Sequence, residues 1–213
     1  MAELAVVFVD EQLLVLDKPA GLLSVPGRGE DKQDCLSTRA QQLYPDALVV
    51  HRLDMATSGL LVMARGTAAQ RRLNDAFAAR QVYKCYEAVV DGTLLAPDAS
   101  WQLIDQPILL DWPNRPKRII DAQHGKPSQT RWQVLATDQL MGTTRVALEP
   151  LTGRSHQLRV HLQGIGHAIL GDMLYASPQV ATQSRRLLLH ACVLEFTHPA
   201  QPHSMRFVST APF

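Results

Sequence analysis

The sequence predicts an α+β fold, a mixed, largely antiparallel central sheet flanked by helices and loops, formed by one domain over residues 1–213. Three observations lead there. Segments rich in β-branched and aromatic residues outnumber those with helical periodicity. The helical segments intervene irregularly, unlike the regular alternation of a βαβ array. No linker, internal repeat or low-complexity tract divides the chain, so one folded unit is the simplest organisation.

Residues 4–9 and 13–16 read as two short strands about the polar turn Asp10-Glu11-Gln12. "DKPAGLLSVPGRGEDKQD" is rich in Gly, Pro and charge and reads as a long ordered loop. A short helix follows Ser37 and ends before Pro45. "VVHRLDMATSGLLVMAR" supplies a strand, a loop centred on Asp54, and a second strand over 60–64. "GTAAQRRLNDAFAAR" is the clearest helix: Thr67 and Gln70 have capping-box spacing, and Ala69, Leu73, Ala76 and Phe77 form an apolar stripe. "VYKCYEAVVDG" has the composition of a strand ending in a turn.

"LLDWPNRPKRII" reads as a basic, proline-marked loop or hairpin, and "QTRWQVLAT" with "TTRVALEP" as a strand pair about "DQLMG". "TGRSHQLRVHLQGIG" is a helix capped by Ser155, with Leu158, Leu162 and Ile165 on one face, closed by Gly164 or Gly166. "RRLLLHACVLEFTHP" returns to a strand.

An apolar fraction of 46% and a charged fraction of 19% are those of a globular protein that can bury a sizeable core. No apolar run is long enough for a membrane span. The N-terminus carries acids where a signal peptide carries basic residues. Cys35, Cys85 and Cys192 are odd in number and far apart, so they read as reduced thiols of a cytoplasmic protein. Net charge is only +1, but Arg115, Lys117, Arg118, Lys126 and Arg131 face a single acid, Asp121, between Trp112 and Arg131. Such a patch suits nucleic acid, although a charge cluster is by default a solvated face. Nothing marks a dimer seam, so a monomer is expected.

Several chemistries lack their residues. His156 and His161 are five apart on a helix and so lie on different faces, whereas HExxH spacing would align them. No metal site is expected. Neither GxxxxGK[ST] nor GxGxxG occurs, which counts against nucleotide-dependent kinases and dehydrogenases. No G-x-S-x-G supports a serine hydrolase. A glycosidase would usually need two facing carboxylates; the acids nearest Asp54 in sequence are Asp46 and Asp75.

Asp54 remains. As an ordinary turn aspartate it would cap its loop backbone or pair with a neighbour. Three local features argue for more. It lies between two apolar strands, which predicts burial. Arg52 stands two residues away, and an opposing charge of this kind lowers a carboxylate's pKa by about 1–3 units. Thr57, Ser58 and Gly59 are small enough to let a ligand approach. A buried, ionised carboxylate without a metal is a candidate nucleophile.

"HRLDMATSGLLVMAR" closely resembles the HRLD-x-x-TSG-LLV signature of the RluA family of pseudouridine synthases. "LLVLDKPAGLLSVPG" resembles the family's first motif, "YKCYEAVVDG" its K-x-Y strand, "LTGRSHQLRVHL" its G-R-x-H-Q-[IL]-R-x-H helix, and "RLLLHA" its final strand motif. They occur in family order from residue 13 to residue 191. "YPDALVVHRLDMATSG", "DWPNRPK" and "LGDMLYASP" sharpen the resemblance towards the members that modify both tRNA and 23S rRNA. Many relatives carry an N-terminal S4 RNA-binding domain. This chain is expected to lack one and to recognise RNA through its catalytic domain.

The resemblance implies isomerisation of uridine to pseudouridine in tRNA anticodon stem-loops and a 23S rRNA stem-loop. Substrate and product are isomers, so no cofactor is expected. It implies Asp54 as the catalytic carboxylate, acting at C1′ or through a glycal-type route. Arg159 is implied as its arginine partner and Tyr86 as the ring against the target base. Arg52 is implied to occupy the space left by a flipped uridine. Arg115, Lys117 and Arg118 are the candidates for backbone contacts. Two rival functions remain, a non-catalytic RNA-binding or ribosome-assembly factor of the same fold and a base-releasing glycosidase.

Overall fold

The computed structural model describes residues 4–96 and 100–213. From the N-terminus its elements are β1 (Val6–Val9), β2 (Leu13–Lys18), α1 (Leu36–Leu43), β3 (Ala47–Val49), β4 (Ser58–Arg65), α2 (Thr67–Ala78), β5 (Tyr83–Asp91) and β6 (Gln102–Asp105). They continue with β7 (Ile108–Leu110), β8 (Arg118–Ile120), β9 (Gln129–Asp138), β10 (Thr143–Pro150), α3 (Gln157–Gly164), α4 (Pro178–Ala181), β11 (Leu189–Thr197) and β12 (Ser204–Val208). The chain divides into two compact units, Met1–Lys84 with His190–Pro212, and Cys85–Leu189 with Phe213. Each is described by itself.

In the first unit β4 is the organising strand. Every residue from Ser58 to Ala64 is buried, so the run does not alternate: both faces are covered. β2 and β3 pair with it antiparallel, and β11 pairs with it in parallel through His190 and Ala191. β1 extends β2 and β12 extends β11, both antiparallel. One parallel pair among antiparallel ones makes the arrangement mixed, as expected. Leu13, Val15, Leu60, Val62, Leu194 and Phe196 form the core, closed by Leu73 and Val82.

Both helix starts of this unit differ from expectation. α1 begins one residue before Ser37, and its cap is Cys35, whose Sγ accepts from Thr38 N at 3.5 Å. α2 has no capping box. Gly66 precedes it at φ +79°, Thr67 is already helical, and no side chain caps it. Gln70 is then one position too late for the box, and its Nε2 donates instead to Val49 O at 2.9 Å.

The second unit carries an antiparallel series in which β5 pairs with β10, β10 with β9, and β9 with β6. The expected strand pair about "DQLMG" is β9–β10. The basic segment is a separate hairpin, β7–β8. β6 and α4 were not anticipated from sequence, and neither was β12 in the first unit.

Candidate active site

The segment between β3 and β4 is pinned on both sides of Asp54. His51 Nε2 accepts from Val62 N at 3.1 Å, and the imidazole stacks on Phe77 with centroids 4.6 Å apart. Burial against these neighbours pushes the His51 pKa down to about 3, with the Lys84 charge adding to the effect, so the ring is neutral and can accept. Leu53 is clamped by Ser24, whose Oγ donates to Leu53 O at 2.7 Å and accepts from Leu53 N at 3.1 Å. Beyond Asp54, the Met55 carbonyl accepts from Gly21 N at 2.8 Å and from Lys18 Nζ at 3.1 Å. Lys18 is 0% exposed and also donates to Pro19 O and Leu22 O. Thr57 N donates to Asp54 O at 3.1 Å, closing a turn.

A chain held this firmly presents its side chains in fixed directions. Arg52 is exposed and Asp54 half-buried. The full burial expected for Asp54 is therefore partial: the apolar strands end at Val49 and resume at Ser58, and the turn between them rises towards the surface.

The small residues after Asp54 have packing and hydrogen-bonding roles at the start of β4. Thr57, Ser58 and Gly59 are all buried. Gly59, at φ +111°, lets β4 and β11 approach, since a Cβ there would stand 2.5 Å from Ala191 N. Ser58 Oγ bonds His190 Nδ1 at 2.8 Å, His190 Nε2 bonds Ser209 Oγ at 2.9 Å, and Ser209 Oγ donates to Asp17 Oδ2 at 2.5 Å. This chain of polar groups, buried at Ser58 and His190 and half-buried at Ser209 and Asp17, fixes the start of β4, three residues after Met55. Sequence reasoning missed it because Ser58 and His190 are 132 residues apart.

In the second unit Tyr86 lies on β5, opposite Leu148 of β10, and is half-buried. α3 does not start at a Ser155 cap. His156 precedes it in the left-handed region at φ +59°, with no side-chain cap. The turn is held instead by Gln157, whose Oε1 accepts from Arg154 N at 3.0 Å and from Thr152 Oγ1 at 2.7 Å. One turn into the helix, Arg159 is buried, and its Nε and Nη2 donate to Asp172 Oδ2 and Oδ1 at 2.8 and 2.6 Å. Asp172 was not singled out from sequence. The Arg159 guanidinium also lies 5.0 Å from the centre of the Tyr175 ring.

On the β7–β8 hairpin Arg115 and Lys117 are exposed, and Arg118 is half-buried. Arg115 lies over the exposed Trp112 ring at 4.5 Å. Arg131, counted in the same cluster, belongs elsewhere: it pairs with Glu149 at 2.9 Å and covers Trp101 at 5.2 Å. Among the described residues, no group of three or more His, Cys, Asp or Glu is placed to hold a metal ion. Nor is any described helix long and apolar enough to cross a membrane.

The arrangement offers a carboxylate on a rigid turn in one unit and, in the other, an oriented buried guanidinium, an aromatic ring on a strand and an exposed cationic hairpin. Comparison with known proteins supplies the context. The family model for RNA pseudouridylate synthase matches residues 12–164. The dual-specificity RNA pseudouridine synthase RluA of Escherichia coli O6:H1 strain CFT073 is 50% identical over 212 residues, covering 99% of this chain and 94% of the relative. The protein of the same name from Yersinia pestis is 48% identical over 208 residues, covering 98% and 99%. Among solved structures, human RNA pseudouridylate synthase domain containing 1 superposes with a TM-score of 0.81 at 27% identity, over 99% of this chain and 84% of that one.

Proposed function

The chain belongs to the RNA pseudouridylate synthase family, whose members are RNA-modifying isomerases, and from that premise we propose that it converts uridines in tRNA anticodon stem-loops and in a 23S rRNA stem-loop to pseudouridine. The observation that carries the choice of substrates is identity near 50% along almost the whole chain to enzymes named dual-specificity RNA pseudouridine synthases. The reaction breaks the N-glycosidic bond, turns the base and rejoins it to the ribose through C5. The C5 hydrogen leaves to solvent as a proton, N1 gains a proton in its place, and nothing is oxidised.

In this reading Asp54 is the catalytic carboxylate, and the pinned turn that carries it supports the assignment, because a reacting group must be held in place before the substrate arrives. Arg159 is the arginine that serves it and Tyr86 the ring that packs against the uracil. A uridine within a stem-loop must first leave its stack, at a cost on the order of a few kcal/mol. Arg52, exposed two residues before Asp54, fills the vacated space with a planar cation. Arg115, Lys117 and Arg118 hold the RNA backbone, giving affinity with little sequence information. The catalytic domain spans residues 1–213 and works as a monomer in the cytoplasm.

Incubation with tRNA and rRNA transcripts tritiated at uridine C5 tests the reading. Isomerisation sends tritium to solvent and liberates no uracil. Free uracil would indicate a glycosidase, and binding without tritium release would indicate a non-catalytic RNA-binding factor.

A further inference from the structure

The "LGDMLYASP" segment that follows α3 builds an enclosure around Arg159 that the reaction, as set out above, does not account for. Gly171, at φ +76°, is pressed so closely to the Arg186 carbonyl that no Cβ fits, and this fixes where the next residue points. The carboxylate of that residue, Asp172, accepts four hydrogen bonds. Two come from the Arg159 guanidinium, and two from the backbone of its own turn, Leu174 N at 2.9 Å and Tyr175 N at 3.2 Å. The two side chains are 5% and 0% exposed.

Tyr175 completes the enclosure. Its ring lies against the Arg159 guanidinium, and its hydroxyl accepts from the backbone N of Arg118 at 2.9 Å. The same oxygen lies 2.7 Å from His156 Nδ1, to which it can donate its proton. His156 is the residue held in the left-handed region at the head of α3, a conformation that persists in a non-glycine only where surrounding contacts enforce it. One hydroxyl therefore joins the start of α3 to the cationic hairpin, and its ring rests on the arginine between them.

A buried ion pair is a poor device for stability, since desolvation offsets most of the attraction. Its geometry is better explained by the need to hold a planar cation in one orientation. We propose that Asp172 and Tyr175 are positioning residues for the isomerisation, setting the Arg159 guanidinium and tying its orientation to the hairpin through the Tyr175 hydroxyl. The inference rests on the function proposed above, in which Arg159 serves the reaction.

The test measures RNA Kd and the single-turnover rate of tritium release at saturating tRNA stem-loop for wild type, Tyr175→Phe and Asp172→Asn. Tyr175→Phe keeps the ring and removes only the oxygen. A rate about fivefold lower at saturation, with Kd within about twofold of wild type, is expected for loss of hydrogen bonds that act on orientation. Asp172→Asn, which breaks a buried charge pair, should lose more than about tenfold. Should Asp172→Asn fail to fold, Tyr175→Phe decides alone. Full wild-type rate in Tyr175→Phe at saturating RNA, whether or not Kd changes, overturns the proposal. Inactive wild-type protein would instead reject the function on which it rests.

Discussion

Gly59 and Ala191 touch backbone to backbone where β4 and β11 run in parallel, and the space between them admits no side chain. Gly59 also sits at φ +111°, which an L-residue rarely adopts. Gly59→Ala should therefore cost about 3 kcal/mol or more, combining a collision with rigid backbone and a strained φ. Urea unfolding checks this; a loss below about 1 kcal/mol would show that the strands can separate at this point.

His51 predicts a pH dependence. Its folded pKa is about 3, against an ordinary value of 6.5, so the native state holds it neutral. The unfolded chain takes up the proton first as pH falls through 6.5, and the native state loses relative stability down to about pH 3. Between pH 7 and pH 5 this group alone should remove on the order of 1–2 kcal/mol. Unfolding free energies of wild type and His51→Gln across that range measure it. Identical pH profiles would show that His51 protonates freely in the folded protein.

Lys18 places a fully buried ammonium under the turn that carries Asp54, donating to three carbonyls that include that of Met55. Lys18→Met keeps the volume but leaves those acceptors without it, at a cost on the order of 2–4 kcal/mol. Because Met55 adjoins Asp54, the variant that remains folded at low temperature should also isomerise at least about tenfold more slowly at saturating RNA. Unchanged stability and rate would show that the turn does not depend on this anchor.

The exposed cations divide into two groups. Lys117→Ala should weaken RNA binding similarly across substrates and lower the log–log salt slope by about one. Arg131→Ala should leave the slope alone, because Arg131 is committed to Glu149 and Trp101. Titrations at several salt concentrations separate the two; equal changes would place Arg131 in the interface as well.

Much of this is legible in the chain because it is local. The apolar run over 60–64 announces a strand, which proves buried on both faces, and "LLDWPNRPKRII" announces a basic loop or hairpin, which proves to be a hairpin. Helix starts are less legible: the capping position depends on where the backbone turns left-handed, at Gly66 and His156, and Thr67 and Ser155 lie on the wrong side of those turns. Relations made only by folding are not legible at all. Asp172 has the Gly-Asp look of a turn, and nothing in its sequence surroundings points to a guanidinium thirteen residues earlier. Likewise, Gly59 suggests room for a ligand until β11 is seen to fill it.

The central claim is that the Asp54 carboxylate reacts with the flipped uridine. Single-turnover tritium release from a C5-tritiated stem-loop by Asp54→Asn, with RNA binding measured on the same preparation, tests it most directly. The exchange of one oxygen for an amide should abolish turnover, by at least about a thousandfold, while Kd stays within about threefold of wild type. Tritium release at the wild-type rate would contradict the account.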